Sequence, residues 1–357
     1  MVDIPFLKGT FSMKALLLTA PSKLELVDFP TPQPAEDEVQ LRIRACGICG
    51  SDIHGWDGST GRRNPPLIMG HEASGEIAAV GAKVEKWKVG DRVTFDSTIY
   101  CGDCFHCRRG EVALCENRRV VGVSPMEYKQ HGAFAEFLTV PQRVLYRLPD
   151  NLNFEQAAMV EPVAVAVHAV RRVPKISPSD TVAVVGSGMI GLFVIQALRW
   201  SGAQRIVAID LEEKRLALAR DLGATDTIKS EGDVAGQIAR MTGGRGADIS
   251  FEVVGITPTV NLALNLIRRG GAAVFVGNLA PKVEFPLQIV VTRELTIYGS
   301  TGSSGEYPIC IDLISRGMVR VEPMMSAAAP LAEGKAWFER LSAKDGGSKY
   351  MKVVLKP

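Results

Sequence analysis

Val182-Ala183-Val184-Val185 runs directly into Gly186-Ser187-Gly188-Met189-Ile190-Gly191, and apolar residues then continue to Trp200. Four consecutive apolar residues suit a parallel strand buried on both faces. Gly186 permits a tight turn and Gly188 lets backbone approach a pyrophosphate. Gly191 allows a helix, opened by Met189 and Ile190, to pack closely on the strand with its N-terminus facing phosphate charge. Glycine-rich turns are common, so the motif gains weight only from its context. Asp210 follows the next apolar run, Arg205–Ile209, at roughly the 20-residue distance of a carboxylate that grips the adenosine ribose. Such a carboxylate repels a 2′-phosphate and so favours NAD over NADP. A helix N-cap ahead of Glu212 and Glu213 is the lesser alternative for Asp210, and both roles are compatible. Arg215 suits either the adenosine end or an ordinary solvated helix face.

Outward from this point, strands and helices alternate. Strands are expected at Thr181–Val185, Arg205–Ile209, Thr225–Ile228, Ile249–Val254, Ala272–Val276 and Leu295–Tyr298. A helix over Glu212–Leu222 ends at Gly223, and another over 258–269 ends at Gly270. Repeated strand-helix-strand units imply a doubly wound parallel sheet, hence an α/β fold. The first 150 residues have a different rhythm. Short β-like runs at Val39–Ala45, Ala73–Val80, Arg92–Phe95 and Ala133–Val140 are broken by Gly, Pro and Asp, which reads as an antiparallel, partly barrel-like region. The last 55 or so residues are mixed and are expected to rejoin it.

The 357 residues exceed one ordinary core, and a formal net charge of +2 with no basic block argues against a nucleic-acid partner. Lys8 and Lys14 precede a run, Ala15 to Leu18, too short for an export signal and better read as a first strand. With no membrane segment in view, a cytoplasmic location is expected.

Six of seven cysteines lie between Cys46 and Cys115, which points to metal or redox chemistry rather than a disulfide scaffold. Cys101-x2-Cys104-x2-Cys107-x7-Cys115 offers four thiolates in one lobe, enough to saturate a structural zinc. An iron–sulfur cluster is the rival, although Glu116 stands where ferredoxins place proline. His106 is expected to face solvent. A second set is scattered: Cys46-Gly47-Ile48-Cys49-Gly50-Ser51-Asp52-Ile53-His54, then Gly70-His71-Glu72, then Glu161-Pro162. A thiolate, an imidazole and a carboxylate converging from separate segments leave a coordination position open, as catalytic zinc requires. Each has an alternative. Cys46 and Cys49 form a CxxC spacing open to redox pairing, and His71 alone reads as a hydrogen-bonded structural histidine. Neighbours in a strand point oppositely, so His71 and Glu72 can both ligate only if Gly70 bends the backbone. Otherwise Glu72 supports the site from behind. Glu161, in the apolar stretch Ala157–Val170, is costly to bury unless metal or metal-bound water satisfies it.

Together these motifs resemble the zinc-containing medium-chain dehydrogenases, within them the sorbitol (polyol) dehydrogenase branch, along nearly the whole chain. The segments that carry it are 46–54, 70–77, the four-cysteine lobe, 160–162, 184–191 and Asp210. The resemblance implies a GroES-like catalytic domain (1–158 and 300–357) beside a Rossmann NAD-binding domain (159–299), with the active site in the cleft between them. It implies Cys46, His71 and Glu72 as catalytic zinc ligands, with Glu161 ligating the zinc or holding its water. Cys49 is then no ligand. Ser51 contacts the substrate oxygen and His54 ends a proton relay. Ile190, Asp210, Arg215, Val276, Gly277, Asn278, Ser300 and Thr301 match NAD-contacting positions, and Cys310 is expected in the core. Two zinc ions per chain and a homo-oligomer, dimer or tetramer, also follow. The expected reaction is hydride transfer from a secondary alcohol to NAD. Where sorbitol dehydrogenases carry an Arg-Tyr pair before Tyr307-Pro308, this chain has Gly302-Ser303, so sorbitol itself is in doubt. Threonine, butanediol-type diols and sugar phosphates are alternatives. A nucleotide-binding protein without catalysis and a zinc-bearing nucleic-acid module are the rival classes.

Overall fold

The computed structural model describes residues 12–123, 130–343 and 349–357, so Lys8 lies outside the described residues. The chain divides into two compact units. The first holds Met1–Glu161, Ser303–Ser315 and Val321–Pro357, and the second holds Pro162–Gly302 and Arg316–Arg320.

In the first unit, Ser12–Ala20 pairs antiparallel with Lys23–Pro30 and with Leu67–Ile68. A seven-stranded sheet runs in the order Leu145–Arg147, Arg92–Phe95, Glu72–Val80, Glu38–Gly47, Lys352–Lys356, Met325–Pro330, with Phe137–Pro141 also on Glu38–Gly47. Alternation makes the central strand two-faced: Leu41, Ile43 and Ala45 are buried while Arg42 and Arg44 face out. Arg44 answers Glu76 on the neighbouring strand at 2.6 Å. Leu41 and Ile43 join Leu16, Val93, Phe95, Phe134 and Phe338 in one core, while Ala45 packs with Ala158 and Val354. The expected strand at Ala133–Val140 is shorter, Phe137–Pro141, because Ala133 and Phe134 instead hydrogen-bond to Gly70 and Met69. The final strand, Lys352–Lys356, places Val354 opposite Gly47 and so returns the C-terminus to this unit.

The second unit carries a six-stranded parallel sheet in the order Asp226–Lys229, Arg205–Asp210, Thr181–Val185, Ala247–Glu252, Ile267–Phe275, Thr296–Gly299. Its order reverses between Thr181–Val185 and Ala247–Glu252, the switch point where such sheets bind ligands at their carboxyl ends. The helix expected to reach Gly270 stops at Leu266. Ile267 is already extended and pairs with Ala247, so sheet formation overrides the helical period there. A short helix at Leu287–Thr292 had no sequence signal.

Candidate active site

The strand Glu38–Gly47 ends one turn before the four-residue helix Gly50–Ile53. Cys49 is the N-cap of that helix, and its sulfur accepts from the Ser51 backbone N–H at 3.4 Å. Asp52 Oδ2 accepts from the Cys49 N–H at 3.3 Å, completing a capping box in which a thiol replaces the usual hydroxyl. Opposite, Gly70 has φ +92° and turns the chain so that His71 and Glu72 approach the same point. A Cβ at Gly70 would press on Phe134 and on Cys46 Sγ, so both the angle and the space require glycine.

One ligand atom each from Cys49, His71 and Glu72 lies within 4.8 Å of the others. Cys46, the cysteine expected in the ligand set, lies in the apolar core cluster. Cys46 sits within the central strand, 0% exposed, among the apolar residues behind Gly70. Cys49 lies beyond the strand end, where the chain turns toward His71. Of the two cysteines in CGICGSD, Cys46 falls inside the strand and Cys49 beyond its end, on the helix N-cap.

His71 Nδ1 and Glu72 Oε1 are buried without a hydrogen-bond partner. His71 Nδ1 stands 3.6 Å from Asp52 Oδ1, too long for a hydrogen bond but placed as a carboxylate behind a ligating imidazole. Glu72 is fully buried, and its Oε2 accepts from Lys352 Nζ, which also donates to Ile48 O at 2.9 Å. Burial alone would lower the Lys352 ammonium, but the Glu72 carboxylate, helped by Cys49, raises it above its usual range. A Cβ at Gly47 would collide with the Glu72 carboxylate. Desolvation pushes the Cys49 thiol up to about 12, and the Glu72 charge adds to this while Lys352 opposes it. A sulfur, with a nitrogen and an oxygen that lack partners, in a desolvated pocket fits a divalent zinc, whose charge favours the thiolate.

Glu161 opens the helix Val160–Arg171 and accepts from Ser97 Oγ at 3.4 Å. Part of its surface is open, yet desolvation by packed neighbours pushes its carboxyl up to about 8 against the pull of His71. Ser51 is exposed and donates its hydroxyl to Cys49 Sγ at 3.3 Å, while His54 is exposed at the helix end. Sequence reading missed Asp52, Arg63, Lys352 and Asp96, which surround these residues. Only Asp52 had a local signal, three residues after a potential N-cap.

The four-cysteine lobe is a second cluster. All four sulfurs lie within 4.8 Å of one another, with Cys115 to Cys101 at 3.5 Å and Cys101 to Cys107 at 3.9 Å. Four thiolates at zinc's bond length of about 2.3 Å stand about 3.8 Å apart in a tetrahedron, so the lobe fits zinc. Backbone N–H groups of Cys107 and Glu116 bring the Cys104 thiol down to about 6, favouring the thiolate. His106 does not simply face solvent: its Nδ1 pairs with Glu111 at 2.9 Å.

In the second unit, Gly186 has φ +99°, and a Cβ on Gly191 would strike the Gly186 carbonyl. Gly188 has open space where a Cβ would stand and caps the helix Met189–Trp200 without a side-chain hydrogen bond. Asp210 accepts from the Ser187 N–H at 2.6 Å and the Glu212 N–H at 2.9 Å, with Arg215 at 3.8 Å. It therefore serves both the turn and the following helix. Val276, Gly277 and Asn278 leave the end of Ile267–Phe275, and Ser300 and Thr301 leave Thr296–Gly299. All lie at the carboxyl edge of one sheet.

Residues 35–150 match the family described as alcohol dehydrogenase GroES-like domain, and residues 190–316 match zinc-binding dehydrogenase. The chain is 35% identical over 339 residues to the D-arabitol-phosphate dehydrogenase of Enterococcus avium, covering 92% of this chain and 94% of that one. It is 34% identical over 352 residues to the sorbitol dehydrogenase of Bacillus subtilis, covering 97% and 98%. A zinc-binding dehydrogenase of Sinorhizobium meliloti 1021, solved with NADP bound, superposes with a TM-score of 0.88 at 31% identity, covering 97% of this chain and 100% of that one. The chain is thus an oxidoreductase that works with zinc and a nicotinamide dinucleotide, and it belongs to the zinc-type medium-chain dehydrogenases, in their polyol branch.

Proposed function

We propose that the chain oxidises a secondary alcohol of the polyol or sugar-phosphate class with NAD, at a zinc held by Cys49, His71 and Glu72. The supporting observation is the convergence of three unlike donors, two of them with buried atoms that nothing else satisfies. Zinc bound there would supply Lewis acidity toward the alcohol oxygen, and a nicotinamide dinucleotide would supply the hydride acceptor. Around it, Lys352 holds Glu72 and Asp52 backs His71, so the ligands are oriented in advance. Ser51 takes the hydroxyl proton and His54 passes it to solvent. Glu161 orients a water or substrate hydroxyl beside the ligands.

The four cysteines of the lobe hold a second, structural zinc. For the dinucleotide, Gly186, Gly188 and Gly191 receive the pyrophosphate and Asp210 the adenosine ribose. Asp210 already stabilises the turn through Ser187, so a 2′-phosphate would meet a fixed carboxylate. This favours NAD, although the Sinorhizobium relative was solved with NADP. A homo-oligomer in the cytoplasm completes the proposal, and among the described residues no helix is long and apolar enough to cross a membrane.

Gly302 and Ser303 stand where a sorbitol dehydrogenase places its Arg-Tyr pair. Ser303 is buried, its hydroxyl 3.2 Å from Asp96 Oδ2. The test is NAD and NADP reduction across polyols, vicinal diols, threonine and sugar phosphates. Turnover is expected with a polyol or its phosphate, and with NAD over NADP. Turnover confined to threonine, or preference for NADP, contradicts the corresponding part.

A further inference from the structure

Arg63 lies in the chain between the helix Gly50–Ile53 and the strand Leu67–Ile68. It is 2% exposed, and a guanidinium so buried is costly unless its donors are met. Nε and Nη2 donate to Asp52 Oδ1 at 3.2 and 2.9 Å, and Nη1 donates to the Arg62 carbonyl at 3.4 Å. Nη2 also donates to Ser51 Oγ at 3.0 Å. Gly55 makes room for this side chain, since a Cβ there would meet Arg63 Cγ at 2.7 Å. One planar cation thus ties the Ser51 hydroxyl to the carboxylate that holds the Cys49 N–H and faces His71.

Ser51 is exposed on a helix of four residues, and its side chain has three staggered wells to choose from. Contact with Arg63 selects one. A hydroxyl has two lone pairs and one proton. Nη2 takes one lone pair and the hydroxyl proton points to Cys49 Sγ at 3.3 Å, leaving one acceptor site, the function needed to receive a substrate proton. Lysine, a point donor on a flexible stem, does not reproduce a rigid fork bridging two acceptors.

We propose that Arg63 is a positioning residue, locking Ser51 Oγ in the orientation from which it meets a substrate hydroxyl. This rests on the relay role given to Ser51. The test is a double-mutant cycle on the zinc-loaded enzyme with Ser51→Ala, Arg63→Lys and both together. It is read as kcat and KM, with zinc content, the visible spectrum of the cobalt-substituted protein and melting curves measured alongside. Arg63→Lys is expected to lower kcat about 10- to 100-fold, with KM, zinc content and cobalt spectrum retained. In the Ser51→Ala background the same change is expected to cost less than about threefold, because coupled residues are not additive. Additive losses, an unchanged kcat, or a loss that follows zinc content overturn the proposal. Arg63→Gln is carried in parallel. Failure of both variants to fold also counts against it, because the task assigned to the guanidinium is kinetic. An unchanged kcat in Ser51→Ala instead refutes the relay reading itself. A slow Ser51→Ala with additive Arg63→Lys refutes only the part given to Arg63.

Discussion

The two ligand clusters of the first unit differ in almost every physical respect. The lobe draws four like donors from residues 101–115, with only Cys115 buried. The Cys49 cluster draws three unlike donors from two segments, His71 and Glu72 buried, and leaves donor atoms unmet. Four thiolates close a tetrahedron and leave no vacancy, whereas three ligands leave a position for substrate. The lobe is self-sufficient. The pocket depends on outside support from Asp52, Arg63 and Lys352.

This contrast predicts different consequences of damage. Cys49→Ser is expected to cost at least about a thousandfold in kcat, the several kcal/mol that metal polarisation supplies, with loss of one zinc but a retained fold. Cys46→Ser is expected to retain zinc and turnover, and its activity, measured beside that of Cys49→Ser, separates ligand from core residue. In the lobe, Cys104→Ser is expected to release zinc and lower Tm while kcat per folded molecule stays unchanged. A collapse of kcat there would erase the distinction between the clusters.

Smaller effects probe the support. Lys352→Met strands the buried Glu72 carboxylate, and breaking such a pair costs about 3–5 kcal/mol; urea unfolding measures it, and a neutral result removes Lys352 from the account. Asp96 sits beside the pocket, buried, accepting from the Thr98 N–H at 2.8 Å and from Ser303. Burial pushes its carboxyl from 3.8 up to about 6. The folded state therefore binds this proton more tightly than the unfolded state. Stability from it is complete below its ordinary value and is lost as pH rises through about 6. Relative to the native chain, Asp96→Asn should gain about 3 kcal/mol between pH 4 and 7, read from unfolding curves at each pH. A constant difference contradicts the assignment.

Legibility in the sequence followed distance along the chain. The strand-turn-helix at 181–191 and the lobe at 101–115 are local, so spacing and glycine placement revealed both. The strands Arg92–Phe95 and Thr181–Val185 appear at the expected bounds. The pocket was half legible. His71 and Glu72 stood out, and the bend they needed is present at Gly70. Choosing between Cys46 and Cys49 required the end of a strand whose partners are residues 72–80 and 352–356. Lys352 meets Glu72 across 280 positions, and no local pattern carries that contact. At 267, strand pairing displaced a helical period that read convincingly in isolation.

Diffraction data collected on either side of the zinc absorption edge, from crystals of the zinc-loaded protein, test the central claim most directly. An anomalous peak is expected at about 2.3 Å from Cys49 Sγ and about 2.0–2.2 Å from a His71 ring nitrogen and a Glu72 oxygen, with a second among Cys101, Cys104, Cys107 and Cys115. A peak bonded to Cys46 in place of Cys49, or a lobe peak with none in the pocket of fully loaded crystals, would contradict the account.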